Sequence, residues 1–155
     1  MRHMILAGLA SLVACGAEAV IGPEDVAGTY MLRTVNGVAP PVIVGRDGDV
    51  TVEVLDGRIV LSWQPDREFS PATFTRSIKY RITDPSQFVN GGPAVTVFSE
   101  HLDGSFTVDG RTVTLRALAP VATHQEEIAV AVLQLSGGTL TWQAGDALRY
   151  SFQRE

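Results

Sequence analysis

The side chains best equipped for chemistry stand together in the run Glu100-His101-Leu102-Asp103. Successive side chains of a strand point to opposite faces, so His101 and Asp103 share one face and Glu100 takes the other. Two converging ligands fall short of the three or four that a firm zinc site needs, and His124 lies far along the chain. A solvated strand end ahead of Asp103-Gly104 is the simpler reading. No serine sits in a Gly-x-Ser-x-Gly elbow. Glu126 and Glu127 are adjacent, face opposite sides of an extended chain and cannot share a proton. Arg46, Asp47, Gly48 and Asp49 read as a turn, and neither a phosphate-cradling glycine loop nor a dinucleotide fingerprint occurs. The chain reads as a non-enzyme with no metal site and no cofactor.

The elements that would position any site read as strands and turns almost throughout. Residues 27–35 alternate Tyr30 and Leu32 against polar neighbours and end at Asn36-Gly37, a turn dipeptide whose residues tolerate positive φ. Residues 49–55 place Val50, Val52 and Val54 on one face, and Asp56-Gly57 reads as the turn into 58–63, with Ile59, Leu61 and Trp63 in phase. Residues 73–82 set Phe74, Ile78, Tyr80 and Ile82 on one face, and 83–93 reads as a loop. A strand follows at 94–102, closed by Asp103-Gly104. A hairpin spans 105–108 and 111–118 around Asp109-Gly110, and another pairs 139–143 with 147–153, facing Leu148, Tyr150 and Phe152 inward. In 123–126 the spacing Thr-x-x-Glu fits a capping box, yet the β-branched run to 135 favours a strand. Consecutive hairpins without a long crossover predict an all-β fold, an antiparallel up-and-down β-barrel of about 8–10 strands. Arg76 falls in phase with the inward residues. It must be paired or reach water, so either it stands near the barrel mouth, within reach of an acidic ligand, or the phase slips at a bulge.

The formal charge of −5 becomes −6 once Arg2 is removed with the leader described next, which argues against a nucleic-acid partner. The hydrophobic content of 45% is that of a globular domain, and no later segment is long enough to be a transmembrane helix.

The first residues have a different character. Arg2 supplies a positive start, Met4 to Ala14 is an apolar core too short to span a bilayer, and small residues follow. Leu12-Val13-Ala14-Cys15 resembles the bacterial lipobox, and Cys15 is the only cysteine, so no disulfide competes for it. The resemblance implies that the chain is cut before Cys15 and that Cys15 is lipidated, mooring the protein to a membrane. Gly16 stands where some bacterial lipoproteins carry an aspartate that retains them in the inner membrane. The expected address is therefore the bacterial cell envelope, at the outer membrane and facing the periplasm. The domains expected are a signal peptide at 1–14, a lipidated tether at 15–26 and a barrel at 27–155.

Gly28-Thr29-Tyr30 resembles the opening of lipocalin-like proteins, with Tyr30 in the place of their tryptophan. The runs 26–41, 103–115 and 149–155 are similar to those of small bacterial lipocalin-like lipoproteins. That resemblance implies an eight-stranded barrel closed at one end by a last-strand arginine packed across the first-strand aromatic, a part that Arg149 or Arg154 can play on Tyr30. It also implies a mouth able to hold one small apolar molecule, with Trp63, Phe74, Tyr80, Phe98, Phe106, Trp142, Tyr150 and Phe152 as candidate lining. The plainer account is that these aromatics fill a solid core. The opening is similar to that of META-domain lipoproteins too, but their cysteine-bearing central motif is missing. The function expected is a lipid-anchored envelope protein that binds a small hydrophobic or amphipathic molecule. The alternative is a filled barrel that serves as a structural lipoprotein or docks an envelope protein partner.

Overall fold

Apolar residues at every second position, interrupted by glycine pairs, make strands that bury one face and curl. The computed structural model describes residues 21–117 and 129–155. A one-turn helix α1 (Pro23–Val26) leads into nine strands: β1 (Gly28–Val35), β2 (Val42–Asp47), β3 (Val50–Trp63), β4 (Ala72–Val89), β5 (Gly92–Asp109), β6 (Thr112–Ala117), β7 (Ala129–Ser136), β8 (Thr139–Ala144) and β9 (Leu148–Arg154). They hydrogen bond in the order β1-β9-β8-β7-β6-β5-β4-β3-β2, and β1 also pairs with β3. That last pairing, Gly28–Met31 against Leu61–Arg58, closes eight antiparallel strands into an up-and-down barrel. β2 stays outside the ring and pairs with the far part of β3. The inward residues form one core around Tyr30, Ile59, Ile78, Leu133, Leu140 and Phe152. Closure leaves the ring without an edge.

Three expected breaks are absent. Asp56-Gly57 does not turn the chain, because β3 runs unbroken from Val50 to Trp63, and its two halves both pair with β4 across a register shift after Val54. Gly57 is buried there, and a Cβ on it would lie 3.3 Å from the Ser77 carbonyl oxygen. Asp103-Gly104 likewise lies within β5. A Cβ on Gly104 would stand 2.9 Å from the Ala117 Cα, so the glycine lets β5 and β6 approach. The expected loop at 83–93 is also a strand, because β4 continues to Val89 and the turn is confined to Asn90-Gly91, both at positive φ. β2 had no counterpart in the sequence reading. The pairs Asn36-Gly37, Asp109-Gly110 and the 139–153 hairpin take the places the sequence predicts. β7 is a strand; the capping-box residues 123–126 lie outside the described residues.

β4 and β5 are 18 residues each, the longest strands, so their hairpin projects as an arm beyond the ring. β5 pairs with β6 only over Gly104–Asp109, so among the described residues 92–103 have a strand neighbour on the β4 side alone.

Candidate functional site

One end of the barrel is stoppered by short-range chemistry. Pro23 opens α1, and the Gly22 amide donates to Asp25 Oδ2 at 2.8 Å, which turns the chain so that Val26 is fully buried. The Tyr30 hydroxyl donates to the Val26 carbonyl at 2.8 Å. Arg154 Nη1 donates to the Asp25 carbonyl at 3.0 Å and Nη2 to the Ala27 carbonyl, with the guanidinium lying across Gly28. A Cβ on Gly28, whose φ is +154°, would come 2.9 Å from Arg154 Nε. Of the two candidate arginines, Arg154 lies at this end. Arg149 lies at the other, where its backbone amide donates to Asn36 Oδ1 at 2.8 Å. Burial raises the Tyr30 pKa above its ordinary value, with the Arg154 charge opposing.

The opposite end, where β6 stops and β7 starts, holds the polar chemistry of the interior. Alternation along β4 points Phe74, Arg76, Ile78 and Tyr80 inward without a slip, opposite Gly104, Leu102, Glu100 and Phe98 of β5. Arg76 is 6% exposed. Its Nη2 donates to Glu100 Oε1, and its guanidinium lies 4.5 Å over the Trp142 ring. Burying a charge is tolerated because both a carboxylate and a π face receive it. Its Nε has no partner, the one buried side-chain polar atom so placed among the described residues. The Glu100 side chain is 41% exposed and reaches the Tyr80 hydroxyl, a long donor at 3.5 Å. Tyr150 stacks on Trp142 with ring centroids 4.9 Å apart, and its hydroxyl meets that of Tyr80. Burial, then the neighbouring Tyr150 and Glu100, hold the Tyr80 pKa far above its ordinary value; burial also raises Tyr150.

Beside this group lies a cavity of about 350 Å³. Phe74, Leu102, Leu115, Ala117, Ala131 and Trp142 form its apolar wall, and Arg76 with Glu100 forms its polar corner. Apolar walls with a few polar groups that fix orientation are the usual make-up of a small-molecule site, and the volume is at the small end of that range.

Four of the eight aromatics expected to line a cavity meet here: Phe74 and Trp142 in the wall, Tyr80 and Tyr150 behind the polar corner. The other four do not. Phe106 and Phe152 are core, because inward strand positions near the stoppered end leave no space. Trp63 ends β3 beside Ala72 and packs against the core. Phe98 is 43% exposed on the arm, stacked on Tyr80 at 5.3 Å, because the ring no longer encloses that part of β5. In the sequence Glu100 stands out only as a metal-competent side chain. The signal that places it was its phase, opposite to His101 and Asp103 and shared with Leu102. Leu115, Ala117 and Ala131 carried no signal that sets them apart from core.

His101 and Asp103 are both exposed, on the outer face. Among the described residues no three His, Cys, Asp or Glu side chains come close enough to hold a metal ion. His124, Glu126, Glu127 and Cys15 lie outside the described residues. Comparisons with protein-family models, curated proteins and solved structures found no match.

Proposed function

We propose that this chain is a lipid-anchored protein of the bacterial envelope that binds one small hydrophobic or amphipathic molecule at the end of its barrel opposite Arg154. The cavity between Trp142, Leu115 and Arg76 carries the binding part of this reading. The lipobox-like run ending at Cys15 carries the address, with the membrane as partner through the lipid on Cys15 and the outer membrane as its site. Native mass spectrometry of the protein extracted from its own envelope tests the binding part. A bound mass that accompanies the polypeptide supports it, and a bare polypeptide from every preparation overturns it.

One observation favours a second reading, a protein-docking lipoprotein. The arm exposes Phe88 (74%), Val89, Val95 and Val97, an apolar concentration that solvent does not favour. A crosslinked envelope protein that is lost on Phe88→Ser and Val97→Thr substitution supports that reading.

A further inference from the structure

The ion pair at the cavity corner bears on what the head of the bound molecule is. Arg76 brings one positive charge into the cavity wall and Glu100 brings one negative charge beside it, so the corner is neutral overall. Glu100 accepts from Nη2, so each charge already faces its counter-charge, and the buried Nε has no surface to offer a ligand. A carboxylate or phosphate head would set a second anion against Glu100 beside an apolar wall. An ammonium head would set a second cation against the guanidinium. An uncharged polar head disturbs neither charge.

We infer that the occupant of this cavity is an uncharged amphiphile, its apolar body against Trp142 and Leu115 and its uncharged polar head at the corner that the Arg76–Glu100 pair forms. The inference rests on the binding reading above and adds the charge class of the ligand. Selectivity here is set by what the Arg76–Glu100 pair rejects as much as by what it accepts.

The test uses three probes of equal chain length, methyl octanoate, octanoate and octylammonium, titrated into the mature chain carrying Trp63→Phe so that Trp142 alone reports. The expected order puts methyl octanoate about tenfold tighter than either ion. In Glu100→Gln the guanidinium keeps its charge without a counter-charge, and octanoate overtakes the ester. Circular dichroism of the variant checks that it folds; the comparison in the parent chain decides even where the variant does not. Equal affinities, or tighter octanoate in the parent, overturn the inference while leaving the cavity reading standing. Silence from all three probes overturns the cavity reading itself.

Discussion

Arg154 and Arg149 stand five residues apart on the same short strand, in opposite phases, and only one of them ties down a chain end. Arg154 holds two carbonyls of the stopper, so Arg154→Ala is expected to cost about 1–2 kcal/mol. Arg149 has an exposed side chain, and Arg149→Ala is expected to stay within about 0.5 kcal/mol of the parent. Urea midpoints at constant m-value check the pair; equal losses would contradict the assignment. The three tyrosines, Tyr30, Tyr80 and Tyr150, are a second residue-scale case, because all have pKa values raised by burial. A raised phenol favours the neutral form in the folded state. The stability it contributes is complete below the unfolded value of 10.0 and is lost as pH climbs above it. Phenolate absorbance is therefore expected to stay flat past that value and then to rise together with loss of the β-sheet circular dichroism signal. A smooth, separate tyrosine titration in the folded protein would show the hydroxyls to be free. Neither effect is legible in the sequence, where Arg149 and Arg154 differ by nothing but their place in the alternation.

The strands show why two identical dipeptides can have opposite meanings. Gly110 follows Asp109 in a true turn at φ +55°, where any other residue is strained. Gly104 follows Asp103 in mid-strand, where the need is space beside Ala117. Gly104→Ala is expected to cost about 2–3 kcal/mol through overpacking, and Gly110→Ala about 1 kcal/mol through backbone strain. Thermal unfolding of the two variants checks the order. Aspartate-glycine pairs announce a local freedom of the backbone, and whether the chain uses it to turn or to approach a neighbour depends on residues distant in sequence. The same applies to the arm. Pro85 and the Asn90-Gly91-Gly92-Pro93 cluster read as a loop, yet β4 pairs onward through an irregularity between Asp84 and Phe88. Amides of β5 at 94–102 that point away from β4 lack a strand acceptor among the described residues. They are expected to exchange with solvent at least about tenfold faster than those of β9. Hydrogen exchange read residue by residue measures this, and equal protection would mean that the edge is covered.

At the scale of the molecule, the stopper and the cavity lie at opposite ends of one barrel. Five residues separate Cys15 from Ile21, so an anchor at Cys15 would keep the stoppered end within about 20 Å of the bilayer and turn the cavity end away from it. Cys15→Ser is expected to abolish labelling by radioactive palmitate and leave the leader attached; equal labelling of variant and parent would remove the anchor. The sequence by itself determined that the chain is all-β, that its strands follow one another without a long crossover, and that Arg76 falls in phase with the inward residues, because a period of two and local turn chemistry are properties of neighbouring residues. It could not decide which glycines turn, which aromatics line a cavity or where Arg76 finds its counter-charge. Those depend on the β1–β3 pairing that closes the ring and on the β4–β5 register that brings Glu100 beside Arg76, 24 residues away along the chain. Only contacts made across such distances separate an aromatic in a solid core from one beside open space.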